Sequence, residues 1–360
     1  MNTSGIGMKD NILITGGCGF IGSHFTRLVK NSDLFNKIVI VDKMTYAGNL
    51  DNINDIQDIK VYPYVGIENS CIKEILEENE IDIIINFAAE THVDRSIQNP
   101  LAFVETDILG ICNLVLSSKE YGKIRQFFHI STDEVYGSIS RGVFDEDCLL
   151  KEDEATENYP LNPTSPYAAS KAAADMMLRA YYKTYDFPLT IIRPCNNYGP
   201  NQYPEKLIPL SIMRMLQGES ILLHGLGEEI REWIYVEDCV KLILDIVNQG
   251  QIGEIYNLGS GFRLTNKEVI TEIIESFMNQ YAEWGGEYET YIQYMPNRPG
   301  NDKRYALNSE KLRSLIKIYH NTPFSKGLKQ TIEWYENNRN HYKNINFDAN
   351  IYKENKEWRR

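Results

Sequence analysis

The feature that most constrains the fold of this chain is a short apolar run followed by evenly spaced glycines and a helical pattern. The apolar run covers 11–15, Gly16, Gly19 and Gly22 follow in the pattern G-x-x-G-x-x-G, and helical spacing covers 23–30. Glycines at this spacing permit a tight turn and let backbone N–H groups approach a pyrophosphate at the helix N-terminus. The stretch predicts the first strand–turn–helix unit of a dinucleotide-binding sheet.

An acidic residue follows the next strand. The apolar stretch 37–41 ends at Asp42, twenty residues beyond Gly22. A carboxylate there can accept hydrogen bonds from both hydroxyls of an adenosine ribose, and it repels a 2′-phosphate. The position therefore predicts NAD rather than NADP as the cofactor.

Two adjacent acids stand at the end of a later apolar strand. The run 126–130 is followed by Ser131 and then by Thr132, Asp133 and Glu134. Open α/β sheets bind ligands at the carboxyl ends of their strands, and neighbouring acids can divide acid and base roles if their surroundings separate their pKa values. A solvated turn is the commoner explanation of a lone acidic pair, but the other motifs of the chain favour catalysis.

A tyrosine and a lysine lie one helical turn apart. Ser165 suits a helix N-cap and Pro166 the first helical position, so a helix is predicted from there to about Tyr185. Tyr167 and Lys171 then share one face. A phenol ionises near pH ~10, so a tyrosine that acts as a base near neutrality needs about 4 kcal/mol of stabilisation of its phenolate. An ammonium one turn away and a cationic nicotinamide could supply it.

Composition narrows the class of partner. The chain has 360 residues, 42% of them apolar, which suffices for one large α/β domain and a smaller one. Its net charge of -13 disfavours nucleic acids and anionic membranes, so local cations must receive an anionic ligand. Six cysteines lack the spacing of a metal site, and neither a signal peptide nor a long apolar segment is evident. We therefore predict a cytoplasmic protein without a metal.

The second half of the chain carries candidate anion ligands. After residue 194 the alternation of strands and helices breaks, which indicates substrate-binding segments. Lys206 and Arg231 are candidate phosphate ligands, and the turn 298–304 has three cations suited to a diphosphate or a ribose. The long acidic loop 138–163 is a candidate lid near the substrate.

Together these motifs resemble the extended short-chain dehydrogenases/reductases and, among them, the dTDP-glucose 4,6-dehydratases. The adjacent Asp133 and Glu134 distinguish these dehydratases from other enzymes of the family. Family epimerases and decarboxylases carry other residues there, and inverting UDP-N-acetylglucosamine 4,6-dehydratases have Asp-Lys and lose the catalytic tyrosine. The resemblance covers about residues 8–340 and is most specific in 42–49, 88–96, 132–137, 196–200 and 204–209.

The resemblance implies an α/β fold, with a Rossmann-type doubly wound parallel sheet and a smaller α/β substrate-binding domain. It also implies a homodimer with a four-helix interface, formed by the helices that begin near Phe103 and Tyr167. Leu109, Leu114 and Leu116 of the first helix are expected in the core or the interface. The expected divisions are 8–194 and 232–260 for the NAD-binding domain, 195–231 and 261–340 for the nucleotide-sugar-binding domain, and 1–7 and 341–360 for peripheral tails.

The implied reaction converts dTDP-glucose to dTDP-4-keto-6-deoxyglucose, with NAD reduced and reoxidised in one turnover. Tyr167 would take the C4 hydroxyl proton as hydride leaves C4, and Thr132 would hydrogen-bond the C4 oxygen. Glu134 would then take the acidified C5 proton while Asp133 protonates the departing C6 hydroxyl, and hydride returns to C6. Lys171 would hold the nicotinamide ribose and lower the pKa of Tyr167.

The residues that the resemblance assigns to these tasks form three sets. The catalytic set is Thr132, Asp133, Glu134, Tyr167 and Lys171. The NAD-binding set is Gly16, Gly19, Phe20, Ile21, Gly22, Asp42, Lys43, Thr45, Ala88, Ala89, Tyr167 and Lys171. The substrate-binding set is Thr91, Asn196, Asn197, Glu205, Lys206, Leu207, Arg231, Arg298 and Asn301.

Five positions depart from the family pattern. Residues 66–68 read Gly-Ile-Glu instead of Gly-Asp-Ile, so the acid expected near the adenine amine is missing or shifted, and NAD is expected to be held less tightly. Cys195, His224 and Asn301 replace a threonine, a tyrosine and a histidine on the nucleotide side of the substrate site. A dTDP-linked sugar is favoured as the substrate, but 4,6- or 5,6-elimination on a UDP-, CDP- or GDP-linked hexose stays open. A non-catalytic NAD-binding scaffold is a further alternative.

Overall fold

Strands and helices alternate along most of the chain. The computed structural model describes residues 10–140, 143–144, 150–151, 153–281 and 284–342. The strands are β1 Asn11–Thr15, β2 Lys37–Asp42, β3 Lys60–Pro63, β4 Ile83–Asn86, β5 Gln126–Ile130, β6 Val143–Phe144, β7 Leu150–Lys151, β8 Leu189–Pro194, β9 Asn196–Tyr198, β10 Ile221–His224, β11 Ile230–Tyr235, β12 Ile255–Leu258, β13 Arg263–Thr265 and β14 Ile292–Met295.

The α-helices and shorter helical turns lie between these strands. The α-helices are α1 Phe20–Ser32, α2 Ile72–Asn79, α3 Val93–Gln98, α4 Pro100–Phe103, α5 Ile111–Tyr121, α6 Pro166–Tyr185, α7 Leu207–Leu216, α8 Val236–Gln249, α9 Asn266–Gln280, α10 Glu310–Leu315 and α11 Phe324–Asn337. The 3₁₀ turns are Leu50–Asn52, Asp133–Tyr136, Tyr288–Tyr291 and Arg339–Tyr342, and a π-helical stretch, Val104–Gly110, joins α4 to α5.

Seven parallel strands form the central sheet, in the order β12-β8-β5-β4-β1-β2-β3. Successive side chains point to opposite faces, and both faces are apolar: Ile12 and Ile14 of β1 pack into one core, whereas Leu13 packs into another. Helices α1 and α8 cover the first face, and α2, α5 and α6 cover the second. Strands buried on both sides are typical of parallel sheets between helices. The α/β class and the doubly wound sheet predicted from the sequence are confirmed.

A further apolar core lies beside the sheet. Helices α7, α9 and α11 and strands β10 and β14 enclose it, and Ile212 and Ile273 are among its members. Strand β11 serves both cores, because Ile234 packs in the sheet core and Trp233 in the second core. The boundary predicted between residues 231 and 232 therefore falls inside a strand. The division into two domains stays a prediction.

Helix α1 begins at Phe20, three residues before the predicted start at residue 23. Gly22 explains the difference, since it lies in the first helical turn, where a Cβ would meet the carbonyl oxygen of Gly16 at 2.2 Å. Only a residue without a side chain lets the helix pack so closely on the preceding turn. The side-chain pattern of the helix therefore becomes visible only after Gly22.

The helix predicted at 103–120 is longer and less regular than expected. Helix α4, the π-helical stretch and α5 run on as one helix of 22 residues, which by length and composition alone could cross a membrane, contrary to the expected absence of a long apolar segment. Half of its most apolar window is buried inside the protein. Leu114 lies in the core, as predicted, whereas Leu109 and Leu116 are exposed. One side of this helix therefore faces the core, and another presents apolar side chains on the surface.

The predicted C-terminal tail begins with residues that contact the fold. Tyr342 is buried, and Nε2 of His341 lies 2.9 Å from the amide oxygen of Asn52. These two residues therefore belong to the packed part of the chain. The expected N-terminal tail, 1–7, and the rest of the expected C-terminal tail 341–360, from residue 343 on, lie outside the described residues.

The described ends of the candidate lid, 138–163, are tied to one segment of the second half. Ile139 donates its backbone N–H to the carbonyl of Arg304, and Ala155 donates to that of Ala306, both at 2.9 Å. Part of the loop lies outside the described residues, and its role as a lid stays a prediction.

Candidate active site

One cavity of about 400 Å³ lies at the carboxyl ends of the central strands. Because β1, β4 and β5 are neighbours in the sheet, their ends bring Gly16, Ala88 and Thr132 to one edge. Every residue of the predicted catalytic, NAD-binding and substrate-binding sets lines this cavity. The individual tasks stay predictions, but the structure brings the whole set together.

The glycine turn after β1 is shaped for the close approach of a ligand. Gly16 has φ +69°, a conformation that favours glycine, and a Cβ there would lie 2.7 Å from the backbone nitrogen of Ala88. Gly19 is the N-cap of α1 and has no side chain that could accept from the first N–H groups of the helix. Those N–H groups can therefore bind an anion such as a pyrophosphate.

The carboxylate of Asp42 is fixed by the backbone at the end of β2. Its Oδ2 accepts from the N–H of Cys18 at 2.9 Å, and its Oδ1 accepts from the N–H of Met44 at 2.8 Å. Burial raises the pKa of Asp42, and these two hydrogen bonds oppose the rise. Each oxygen keeps capacity for a further donor, so the side chain can still accept ribose hydroxyls in the cavity.

The acid that the sequence lacks at position 67 is found one residue later. Ile67 is buried, and Glu68 lines the cavity. Lys43 Nζ lies 2.6 Å from Glu68 Oε1, while Glu68 Oε2 is buried and has no hydrogen-bond partner among the described residues. The carboxylate has therefore shifted along the chain, and one of its oxygens keeps acceptor capacity.

The 3₁₀ turn Asp133–Tyr136 presents the acidic pair. Thr132 caps it: its Oγ1 accepts from the N–H of Glu134 and donates to Asp133 Oδ1, both at 3.2 Å. Asp133 is buried, and its Oδ2 has no partner among the residues that the structure describes. Burial and then the charge of Glu134 raise the pKa of Asp133 well above its usual range. This shift favours the neutral form of Asp133, which can donate a proton.

Tyr167 and Lys171 lie on the buried face of α6. Lys171 Nζ donates to the carbonyl of Ile130 at 2.9 Å. Burial, followed by the carboxylate of Glu134, raises the pKa of Tyr167 well above its usual value. The protein alone thus does not lower this pKa, although a lowering by Lys171 is predicted from the sequence. A phenolate at this position needs further positive charge from bound ligands.

Sequence reasoning missed Tyr305 by one residue, because the predicted polar turn ends at 304. The Tyr305 hydroxyl donates to Asp302 Oδ2 at 2.8 Å and lies 3.4 Å from Glu134 Oε2. The guanidinium of Arg231 lies 4.3 Å from the centre of its ring. Tyr305 therefore lies next to the predicted base, with its proton directed to Asp302. Only the tertiary fold reveals this contact, since 171 residues separate Tyr305 from Glu134.

Two arginines meet at Asn301 on the cavity wall. Arg231 Nη2 and Arg298 Nε donate to Asn301 Oδ1 at 3.1 and 3.3 Å. Asn301 Nδ2 in turn donates to Glu229 Oε1 at 2.8 Å. Two neighbouring guanidinium groups can bind a diphosphate, and the asparagine orients both of them. The other substrate-side departures, Cys195 and His224, line the same cavity.

Three side chains, here called the clasp, connect the cofactor side of the cavity with its substrate side: Tyr46, Arg95 and Glu205. The Tyr46 hydroxyl donates to Glu205 Oε1 at 2.8 Å, and Arg95 Nε lies 3.0 Å from Glu205 Oε2. The Arg95 guanidinium also lies 3.7 Å from the centre of the Tyr46 ring. Next to the clasp, Lys206 donates to the carbonyl of Thr91. The segment that carries Glu205 and Lys206 is thereby fixed to the loop after β2 and to the segment after β4.

Known proteins resemble the chain over nearly its whole length. The family model for GDP-mannose 4,6 dehydratase matches residues 13–331. The dTDP-glucose 4,6-dehydratase of Shigella flexneri is 37% identical over 349 residues, which cover 93% of this chain and 95% of that protein. The dTDP-glucose 4,6-dehydratase of Streptomyces niveus is 38% identical over 334 residues, which cover 91% and 93%.

A solved structure shows the same similarity in three dimensions. DesIV, the dTDP-glucose 4,6-dehydratase of Streptomyces venezuelae, was crystallised with NAD bound and superimposes with a TM-score of 0.83 at 36% identity, over 92% of this chain and 99% of that chain. The similarity thus includes both the sheet and the second core. Together with the acidic pair, the tyrosine and the lysine in one cavity, it shows that the chain belongs to the nucleotide-sugar 4,6-dehydratases and, among them, to the dTDP-glucose 4,6-dehydratases.

Proposed function

We propose that the protein is an NAD-dependent hydro-lyase that converts dTDP-glucose to dTDP-4-keto-6-deoxyglucose and water. The observation that carries the proposal is that Asp133 and Glu134 line the same cavity as Tyr167 and Lys171. The tyrosine and the lysine serve oxidation of a hydroxyl, whereas an adjacent acid and base serve the elimination that follows. The relatives' names and their identity to this chain support dTDP-glucose as the substrate.

The residues of the cavity fit NAD. At Gly16 and Gly22 the turn is packed too closely for a side chain, and the α1 N-terminus favours a pyrophosphate. Asp42 would accept the hydroxyls of the adenosine ribose, and Lys171 would hold the nicotinamide ribose. When bound, NAD supplies redox chemistry, taking a hydride from C4 of the sugar and returning it to C6.

The first step is oxidation at C4. Tyr167 takes the proton of the C4 hydroxyl, and the Thr132 hydroxyl, turned from Asp133 to the sugar, donates a hydrogen bond to the C4 oxygen, which becomes a ketone oxygen. Since burial and Glu134 raise the pKa of Tyr167, the phenolate forms only with cationic groups beside it. The ammonium of Lys171 is the chain's own contribution to that positive charge.

The second step is the loss of water. The C4 ketone acidifies the C5 proton, and Glu134, which lies beside the Tyr305 hydroxyl, takes it. Asp133 gives its proton to the C6 hydroxyl, which departs as water, and the double bond forms between C5 and C6. As hydride reaches C6, Glu134 returns a proton to C5. The raised pKa of Asp133 suits the acid role, because it favours the protonated form that can give its proton to the C6 oxygen.

The nucleotide part of the substrate has its own ligands. Arg231 and Arg298, both held by Asn301, are positioned to bind the diphosphate. The clasp and Lys206 connect the segments that line this region with those that line the cofactor region.

The test is to incubate the purified protein with dTDP-glucose labelled with deuterium at C4, without added reductant, and to analyse the product by mass spectrometry and NMR. We expect loss of one water and transfer of the label to C6. The matched control, Tyr167→Phe, should leave the sugar intact. If another nucleotide sugar reacts instead, the assignment of the substrate's nucleotide is wrong. If no nucleotide sugar loses water, the protein is not a dehydratase.

We infer that the protein forms a homodimer in the cytoplasm. Apolar side chains project from the helix Pro100–Tyr121 and from α6, where Leu101 is 75% exposed and Met176 is 55% exposed. A second copy packing these helices together would cover them, as the family resemblance implies. The described cysteines are all free, which suits a reducing compartment. Sedimentation at several concentrations would test the dimer, and a purely monomeric protein would contradict it.

A further inference from the structure

An aspartate that the mechanism above does not use lines the ligand cavity. Asp94 lies in the first turn of α3, in the segment after β4, and is 2% exposed. Its Oδ1 is buried and has no hydrogen-bond partner among the residues that the structure describes. A buried carboxylate oxygen without a donor destabilises the fold. Because this one belongs to a ligand cavity, we expect a ligand to supply the donor.

The neighbours of Asp94 include a residue proposed to bind the diphosphate. Arg298 Nη1 lies 3.9 Å from Asp94 Oδ2, and Nε2 of His92 lies at the same distance. His92 Nδ1 accepts from the N–H of Arg95. Burial, followed by the charges of Lys206 and Arg298, lowers the pKa of His92 well below its usual value, which favours the neutral ring. Arg298 is therefore the cation that connects Asp94 with the diphosphate end of the substrate.

Asp94 also lies near the proposed base of the elimination. Lys206 donates to the carbonyl of Thr91, three residues before Asp94. Burial lowers the pKa of Lys206, and the carboxylates of Glu205, Glu134 and then Asp94 oppose the fall. One ammonium thus interacts with the charges of both Glu134 and Asp94. Asp94 therefore borders the part of the cavity where the hexose meets the diphosphate.

We propose that Asp94 accepts a hydrogen bond from the C2 hydroxyl of the hexose and selects sugars that carry a hydroxyl there. This inference rests on the proposed function, which assigns C4 to Tyr167, C5 to Glu134 and C6 to Asp133. That assignment leaves the hydroxyls at C2 and C3 without a protein ligand. C2 adjoins C1, the carbon that carries the diphosphate, so a carboxylate beside Arg298 lies nearer to C2.

The chemistry of a carboxylate favours a hydroxyl over the other groups of the substrate near Arg298. Phosphate oxygens are acceptors, so they cannot donate to Asp94, and their charge repels it. A hydroxyl can donate, and a hydrogen bond to a charged acceptor is stronger than one between neutral groups. A sugar with only hydrogen at C2 leaves the carboxylate buried and unpaired. Sites built to bind a hydroxyl reject analogues that lack it for this reason.

Calorimetry with the NAD-loaded protein tests the contact, in a Tyr167→Phe background that should leave the sugar intact. In this background, we expect dTDP-2-deoxyglucose to bind about tenfold to hundredfold more weakly than dTDP-glucose. After the further change Asp94→Ala, the two sugars should differ by about twofold or less. The matched control ligand is dTDP-3-deoxyglucose, whose loss of affinity should be the same with and without Asp94. An equal effect of the C2 hydroxyl in both proteins, or coupling of Asp94 to the C3 hydroxyl instead, would overturn the proposal.

A second variant keeps the test decisive if Asp94→Ala fails to fold. Asp94→Asn retains the shape of the side chain and a neutral acceptor, so the effect of the C2 hydroxyl should fall between those of the other two proteins. An undiminished effect in Asp94→Asn would contradict a charged acceptor. Failure of dTDP-glucose to bind at all would refute the proposed function and this inference with it. Binding of dTDP-glucose without coupling to Asp94 would refute this inference alone.

Discussion

Replacing Glu134 by glutamine should separate the two halves of the proposed reaction. The amide keeps the length of the side chain and an oxygen at the place that now lies 3.4 Å from the Tyr305 hydroxyl, but it cannot take the C5 proton. Loss of a general base typically costs a factor of ~10²–10⁴ in rate. We therefore expect water loss to slow by about that factor, while oxidation at C4, which depends on Tyr167, continues.

The same substitution should ease the oxidation. After burial, Glu134 is the largest cause of the raised pKa of Tyr167, and the amide removes its negative charge. A charge within a few ångströms shifts a pKa by roughly 1–3 units, and the half-buried position of Glu134 favours the lower end. A base works above its pKa, so lowering the pKa of Tyr167 moves the acid limb of the oxidation to lower pH, by about one unit.

The assay is a single turnover with stoichiometric enzyme, NAD and dTDP-glucose, followed by the near-ultraviolet absorbance of NADH at several pH values. The variant should accumulate NADH that the wild type reoxidises, and the sugar should retain its water. Tyr167→Phe is the control that should form no NADH. Full turnover by the variant would remove Glu134 from the role of base, and an acid limb shifted to higher pH would refute the electrostatic reasoning.

Three further predictions concern other parts of the fold. Asn301→Ala should raise the KM for dTDP-glucose by roughly 10- to 100-fold at nearly constant kcat, because the hydrogen bonds that orient two guanidinium groups are lost; a fall in kcat alone in initial-rate measurements would contradict this. Gly22→Ala should weaken NAD binding by about tenfold or more in calorimetry, since its Cβ would meet the carbonyl oxygen of Gly16 at 2.2 Å; an unchanged Kd would refute the close packing. Asp175→Asn should lower the free energy of unfolding by about 3–5 kcal/mol in urea titrations, because Arg193 stays buried without its partner; a loss below about 1 kcal/mol would argue against a compensated pair.

The sequence predicts those parts of the structure that depend on interactions between residues close together in the chain. Ser165 and Pro166 define the start of α6, whose end at Tyr185 also agrees with the prediction. Apolar runs that end in Asp42 or precede Thr132 predict strands of a parallel sheet, and the sheet brings all strand ends to one edge. The location of the cavity could therefore be predicted before any contact was known.

Long-range contacts could not be predicted in this way. The bond from Ser170 to Asp107 joins residues 63 positions apart, and it depends on the π-helical stretch, for which the side-chain pattern gives no signal. Glu68 presents a carboxylate one position away from the family's acid, and only the path of the backbone shows that it still lines the cavity. Burial and the nearby acids raise the pKa of Tyr167 in the protein alone, and no pairwise spacing in the sequence reports burial.

The clasp connects the segments that carry the two ligand regions. Tyr46 belongs to the loop after the cofactor strand β2, and Glu205 belongs to the segment of the substrate ligand Lys206. A ligand that orders one segment also restrains the other, which reduces the conformational entropy lost when the second ligand binds. NAD and the nucleotide sugar should therefore each tighten the binding of the other by the same factor. The reduced cofactor must stay bound until hydride returns to C6. The bound sugar should therefore itself hold the cofactor in place during the reaction.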